Sequence, residues 1–360
     1  MTRPLGFAIL GAGLVAPFHA RAVRGAKGAR LVAICDSDRG RADRLAAEFG
    51  ARAYYELGRM LADPEIDAVN VALPNHLHRD AVLQSAAAGK HVLTEKPPAM
   101  SLAQVDEMIG ACRQAGVRFG CTVQCRVRRS VQAVRAALAA GRFGRLLHAD
   151  VFMKWYRSEE YYRSDGWRSS RRSGAGVTVQ QAFHYVDLLQ HLAGPVRSVQ
   201  ARMTNLAHPA IDLEDTAVAF LDFECGARGL LQASTALWPG TDVRVEINGT
   251  NGTAILVGEK VAAWRFREEL AGDAEARMLG ADGGPTAAGG AADFGHEGHQ
   301  VLVQDLVDSV REGREVVIPV ASVRHSLEIV LAMYQSAARG QAVDLPVEDD
   351  ETAWGSQATR

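Results

Sequence analysis

The first residues able to do chemistry lie near the N-terminus. An apolar run, Gly6–Leu10, leads straight into Gly11-Ala12-Gly13-Leu14-Val15-Ala16, and a helical pattern follows. Gly11 suits a tight turn, Gly13 lets backbone approach a pyrophosphate, and Ala16 permits close helix–strand packing. The helix start offers unpaired N–H groups and a partial positive charge for phosphates. Asp36 ends the second apolar run, 23 residues beyond Gly13. A carboxylate there would accept hydrogen bonds from an adenosine 2′- and 3′-OH and repel a 2′-phosphate. Asp38 adds negative charge and Arg39 is a candidate partner for a phosphate, so the balance favours NAD over NADP. A nucleotide-free sheet whose glycines serve only the turn is disfavoured, because turn, helix and acid occur together.

A second group surrounds Thr94-Glu95-Lys96-Pro97. The chain has five lysines (Lys27, Lys90, Lys96, Lys154, Lys260) against 35 arginines, so each lysine invites a reason. Lys96 follows the carboxyl end of a strand, where ligands sit in parallel sheets. Its ammonium, unlike a guanidinium, can lose a proton when desolvated or placed near cations, so it suits carrying the proton of a reacting hydroxyl. Pro97 and Pro98 fix the turn.

His184 lies on a helical pattern over 179–193, with Gln180 one turn earlier on the same face. An imidazole is the commonest general base for an alcohol proton, although a lone helical histidine is more often a packing residue. Asp187 is expected to anchor that helix or a neighbouring loop. Lys154, Tyr156, Arg157, Tyr161 and Tyr162 form a cationic, aromatic cluster suited to sugar stacking and to a phosphate or carboxylate; an Arg/Tyr-rich surface loop is the alternative. Arg126 follows the apolar run Val117–Val123. His76 and His78 open a helix beside the cofactor turn, for capping or phosphate contact. His296 and His299 flank a helix start with no third ligand at metal spacing, so no metal is expected.

These residues need elements to position them. Strands are expected at Gly6–Leu10, Arg30–Cys35, Ala68–Leu73, His91–Thr94 and Val117–Val123. Helices are expected at about 15–26, 39–49, 56–62, 77–88 and 101–115. Runs such as LVAIC and AVNVAL are continuously apolar, which belongs to parallel strands buried on both faces. Ser101 and Gln104 form a capping box, and Gly116 is placed to end that helix. From about residue 125 the texture changes. After a helix at 130–140 come HADVFMKW, SVQARMTN, DTAVAFLDF, ARGLLQAST, RVEINGT, TAILVG and VAAWRF, several alternating with period two. They predict an open, mainly antiparallel sheet with one face covered. Residues 271–295 are rich in Gly, Ala and Asp and predict a mobile loop; helices at about 296–311 and 321–339 close the chain.

Composition narrows the function classes. With 48% hydrophobic and 23% charged residues, the 360-residue chain is that of an ordinary globular protein of about two domains. A net charge of −2 without blocks of like charge gives no footprint for nucleic acid or a membrane surface. No apolar run approaches the roughly 18–20 residues of a membrane span. MTRPLGFAILGAG lacks the shape of a secretory signal, and five cysteines at unrelated spacings are expected to be reduced, so a cytoplasmic location is expected.

The glycine turn, Leu73-Pro74-Asn75-His76, the EKP string, Gly166-Trp167-Arg168 and the segment GAGVTVQQAFHYVDLLQHLAG (Gly174–Gly194) together resemble the Gfo/Idh/MocA oxidoreductase family. The resemblance extends to about residue 345. Within the family, KWYRSEEYY and LEDTAVAFL are most similar to UDP-N-acetylglucosaminuronate 3-dehydrogenases. It implies an α/β protein: a doubly wound parallel Rossmann domain over 1–124, an α+β substrate and oligomerisation domain over 125–345, and a tail, 346–360. It further implies an active site between the domains and homodimers or homotetramers.

On this reading Lys96 and His184 are catalytic. NAD is held by Gly11, Ala12, Gly13, Leu14, Val15, Asp36, Leu73, Pro74, Asn75, His78, Glu95, Lys96, Gln124, Trp167 and Arg168. A sugar, sugar nucleotide or cyclitol, oxidised at a secondary hydroxyl such as C3 of a pyranose, meets Lys96, Arg126, Lys154, Tyr156, Gln180, Gln181 and His184. Many relatives carry Asp where this chain has Gln180, and an amide cannot stabilise an imidazolium by charge. The proton transfer therefore falls more heavily on Lys96. A non-catalytic NAD sensor on the same fold, or an NADPH-dependent reductase of a non-sugar carbonyl, are the alternatives.

Overall fold

The computed structural model describes residues 3–209, 211–281, 287–288, 290–291 and 295–347. The chain divides into two compact units, one made of 1–124 with 295–324 and the other of 125–294 with 325–360.

The first unit is built on β1 (Leu5–Leu10), β2 (Ala29–Cys35), β3 (Arg52–Tyr54), β4 (Ala68–Val71), β5 (His91–Thr94) and β6 (Phe119–Cys121). All pair in parallel, in the order β3-β2-β1-β4-β5-β6. The continuous apolar runs are buried on both sides; Phe7, Ala8 and Ile9 of β1 have no exposed surface. The order reverses between β1 and β4, and ligands bind at the carboxyl ends of strands at such a switch point. The three-residue β3 was not expected from the sequence. It is an edge strand with a polar, half-exposed pattern. Ser101 caps helix Leu102–Gln114 as expected, its Oγ accepting from Gln104 N–H at 3.2 Å, and Gly116 follows with φ +69°.

One segment differs from the domain expectation. Residues 295–324 fold with the first unit rather than the second. Helix Glu297–Glu312 buries His299, Leu302, Val303, Leu306 and Val307, a stripe at helical spacing, and packs on helix Ala16–Gly25. Gln300 Nε2 donates to Gly25 O at 2.9 Å, and Lys27 N–H donates to Gln304 Oε1 at 2.7 Å. Further on, Cys121 N–H donates to Ile318 O at 3.1 Å, beside β6.

The second unit holds β7 (Leu146–Lys154), β8 (Val196–Thr204), β9 (Thr216–Phe223), β10 (Arg228–Ser234), β11 (Arg244–Gly249), β12 (Gly252–Val257), β13 (Lys260–Phe266) and β14 (Val343–Asp344). Their order is β13-β12-β11-β7-β10-β9-β8-β14, antiparallel except for β7 with β10. Alternation is clear in β9, where Ala217, Ala219, Leu221 and Phe223 are buried while Phe220 is 64% exposed on the other face. Helices Val177–Gln180 and Phe183–Ala193 cover the buried face.

Parts of the expected 271–295 loop are ordered. Asp273–Arg277 is a helical turn, anchored where buried Asp273 accepts from Arg142, Trp264 Nε1 and Leu270 N–H. The carbonyls of Ala287 and Ala288 accept from Arg157. The rest of that loop, and most of the tail, lie outside the described residues.

Candidate functional site

In the first unit the glycine turn leaves β1 at the switch point. Gly11 has φ +99°, and a Cβ there would lie 2.4 Å from the carbonyl oxygen of Ala72, so only glycine fits. At Gly13 a Cβ would meet nothing within 4 Å, so this peptide faces open space. Val15 starts helix Ala16–Gly25 without a side-chain cap; Ala16 N–H donates to Gly13 O at 3.2 Å, Pro17 has no N–H, and Phe18 N–H donates to Val15 O at 3.1 Å, so the first turn closes on its own carbonyls. Leu14 is exposed. Asp36 accepts from Ala12 N–H at 2.7 Å through one oxygen and from Asp38 N–H at 2.8 Å through the other. The expected ribose acid is therefore also a brace for the turn, a role its spacing alone did not reveal. Gly11→Ala is expected to cost about 1–2 kcal/mol of backbone strain and to displace Ala72. NADH binding, followed by fluorescence titration, should weaken at least about tenfold; unchanged affinity would show that the turn does not carry the cofactor.

Leu73, Pro74 and Asn75 leave β4 at the same end of the sheet, and Asn75 is buried. His78, expected beside the cofactor or as a cap, bridges two carbonyls. It has no exposed surface, and its Nδ1 and Nε2 lie 2.8 Å from Pro97 O and 2.9 Å from Leu73 O. Burial pushes its pKa down, against the pull of the two carbonyls.

Lys96 is half-buried, two residues beyond β5, and a cis peptide joins it to Pro97. The Glu95 carboxylate, expected at the cofactor, is engaged by two imidazoles. It is buried, with Oε1 3.0 Å from His19 Nε2 and 3.6 Å from His299 Nε2. Burial alone would raise its pKa; the hydrogen bonds from the two imidazoles outweigh that and hold it well below the usual range. These three are the one cluster among the described residues with metal-capable atoms mutually close, within 4.8 Å. Short-range spacing missed it because the three come from distant parts of the chain. Gln124, just past β6, has a buried Oε1 with no hydrogen-bond partner among the described residues, as an acceptor awaiting a ligand N–H would have. With the open face at Gly13, this orphaned acceptor fits a bound dinucleotide.

In the second unit, Arg126, expected to meet the substrate, forms a buried ion pair with Asp187. It is 5% exposed, and its Nε and Nη2 donate to Asp187 Oδ2 and Oδ1 at 2.6 and 2.5 Å. Ser326 Oγ donates to the same carboxylate at 2.7 Å. Asp187 thus anchors the helix bearing His184. That helix starts only at Phe183, because Ala182 N–H bonds to Val177 O, five residues back, and breaks the expected 179–193 helix in two. Gln180 and His184, both half-buried, therefore do not share one continuous helix face.

Gln181 and Arg168 do meet, through Tyr161. Its hydroxyl accepts from Gln181 Nε2 at 3.1 Å and Arg168 Nη1 at 3.2 Å. The Arg168 guanidinium also stacks on Trp167, 4.8 Å from the ring centroid. Tyr156 packs edge-on against Trp238, Lys154 is exposed at the end of β7, and Arg157 is buried against carbonyls rather than offered to a ligand. Glu214, in the LEDTAV string, was missed. Its Oε1 accepts from Thr178 N–H, Thr178 Oγ1 and Tyr334 OH, fixing the start of the short helix that carries Gln180. Gly176, with φ +127°, leaves room for that carboxylate.

Residues 5–123 match the oxidoreductase family with an NAD-binding Rossmann fold, and residues 131–255 match the GFO/IDH/MocA C-terminal domain. The structure of the WlbA dehydrogenase from Bordetella pertussis, in complex with NADH and UDP-GlcNAcA, is 32% identical, with a TM-score of 0.84 over 96% of this chain and 100% of that one. The chain belongs to the Gfo/Idh/MocA oxidoreductase family. D-apiose dehydrogenase from Rhizobium rhizogenes is 28% identical over 94% of this chain and 96% of its own length. For scyllo-inositol 2-dehydrogenase (NAD(+)) from Bacillus subtilis the values are 26%, 95% and 96%. As a Gfo/Idh/MocA protein, this chain is an NAD-dependent dehydrogenase, its first unit the cofactor-binding Rossmann domain. No helix among the described residues is long and apolar enough to cross a membrane.

Proposed function

We propose that this dehydrogenase oxidises a secondary hydroxyl of a sugar nucleotide or related glycoside, at C3 of a pyranose. The observation that carries the reading is the placement of Lys96 at the carboxyl end of β5, in the same unit and at the same sheet end as the Gly11–Gly13 turn. The turn and Asp36 would hold the dinucleotide, and Gln124 Oε1 would accept from it. NAD, when bound, supplies the acceptor for the hydride leaving the carbinol carbon. Lys96 Nζ bonds the hydroxyl and takes its proton as the carbonyl forms, and the Pro97–His78 clamp keeps that turn from drifting. His184 assists as a second proton acceptor. With Gln180 four residues before it there is no neighbouring charge from that position to stabilise an imidazolium, so Lys96 does most of the proton handling.

The relatives support a polyol substrate, since those named act on apiose and an inositol or bind UDP-GlcNAcA. Tyr161, held by Gln181 and Arg168, with Trp167 beside it, supplies an aromatic and cationic surface suited to a sugar carrying an anionic group. Phe220, exposed on the uncovered sheet face, supports assembly of copies through that face. The test mixes pure protein and NAD with UDP-sugars, free sugars, glycosides and inositols while following NADH absorbance. UDP-N-acetylglucosaminuronate and its close analogues should turn over fastest. Silence across the panel with tight NAD binding would instead identify a sensor, and a strong preference for NADPH would point to a carbonyl reductase.

A further inference from the structure

Glu95 sits beside Lys96 in sequence, yet its carboxylate is turned inward, and everything around it is built to hold it there. His19 comes from helix Ala16–Gly25, the helix that carries the glycine turn. His299 comes from helix Glu297–Glu312, which packs on the first. Both imidazoles are buried and direct Nε2 at the same Glu95 oxygen, at 3.0 and 3.6 Å, and their rings meet edge-on with centroids 4.9 Å apart. Asn70, in the middle of β4 with no exposed surface, places its side-chain amide 3.2 Å from His19 Nδ1. That bond fixes the His19 tautomer with Nδ1 accepting and the Nε2 proton donated to Glu95. The other Glu95 oxygen accepts the backbone N–H of Lys96 at 3.3 Å. A polar residue inside a parallel strand and two fully buried histidines are costly unless they do something specific.

We propose that His19 and His299 are positioning residues: through Glu95 they fix the peptide of Lys96 relative to the helix that seats the dinucleotide. The chain of contacts runs from the glycine turn along one helical turn to His19, on to Glu95, and from Glu95 to the Lys96 N–H. His78 Nδ1 meets the carbonyl of Pro97, one residue beyond Lys96, at 2.8 Å. A lysine at a strand end otherwise wanders over several ångströms, and a misplacement of about 1 Å can cost about 10²-fold in rate. The cluster has the composition of a three-ligand metal site, but its hydrogen bonds already account for Glu95 Oε1 and both His19 nitrogens.

This inference rests on the reading of Lys96 as the proton-handling group, and its test separates the two. His19→Leu and His299→Leu remove the donors; His19→Gln and His299→Gln keep an N–H able to reach Glu95. In the Leu variants kcat should fall by about 10²-fold, with the KM for substrate and the NADH dissociation constant changed less than about threefold. The Gln variants should recover most of the loss. Hydrogen–deuterium exchange of the peptide spanning residues 94–101, measured without cofactor or substrate, should speed up in the Leu variants and return towards the wild-type rate in the Gln variants. This arm decides the positioning claim even if no sugar is turned over. Unchanged exchange in folded Leu variants would overturn it, as would equal losses in Leu and Gln variants. Stoichiometric metal in the purified protein that disappears with His299→Gln would overturn it too, by making the cluster a metal site.

Discussion

Replacing Lys96 by Met is expected to lower kcat by about 10³-fold, while NADH binding stays within about threefold of wild type. Methionine keeps a similar unbranched stem and cannot hold or release a proton. Lys96→Arg should be nearly as damaging, because a guanidinium keeps its proton in proteins and its planar fork does not match the site of an ammonium. His184→Asn provides the internal comparison. With an amide at Gln180, the imidazole carries the smaller share, and the expected loss is about tenfold. The measurement is kcat and KM for each variant on the best substrate of the sugar panel, with NADH titration alongside. Activity in Lys96→Met within tenfold of wild type would remove Lys96 from the chemistry. A larger loss in His184→Asn than in Lys96→Met would exchange the two roles.

The second large effect is on stability. Asp187→Ala leaves the Arg126 guanidinium, 5% exposed, without the carboxylate that both its Nε and Nη2 address. Removing one partner of a buried pair typically costs about 3–5 kcal/mol, because the other charge stays desolvated. The melting transition should fall clearly, and Ser326 loses its acceptor as well. In the double variant Arg126→Met, Asp187→Leu no charge is left stranded, so most of the lost stability should return. Calorimetry on the three proteins checks this; an unchanged transition in Asp187→Ala would mean that the pair is not buried in solution.

Both effects depend on features of different visibility in the sequence. The cofactor half was plain because its signals are local: an apolar strand, a glycine turn and a helix in succession, then an acid at the end of the next strand. The place of Lys96 just past a strand end was equally legible. The ion pair of Arg126 was not legible because its partner lies 61 residues away. The partners of Glu95 and His78 were hidden for a related reason: a motif fixes the residue type but not the side to which the side chain turns. The His19–Glu95–His299 cluster spans most of the chain, so no local window contains it. The break between Gln180 and Phe183 was hidden because the apolar periodicity runs on through it. Strand β3 was missed because an edge strand of three residues shows too little pattern to be recognised.

The excursion of residues 295–324 has a consequence for how the protein is made. During synthesis the first 124 residues leave the ribosome long before helix Glu297–Glu312 exists, so the apolar side of helix Ala16–Gly25 that it covers has no partner during translation. His19 has no second imidazole beside it until then. The nascent cofactor domain is thus an unfinished object, completed only by a late-arriving stretch of chain, and a fragment cut at residue 124 would be born with the same gap.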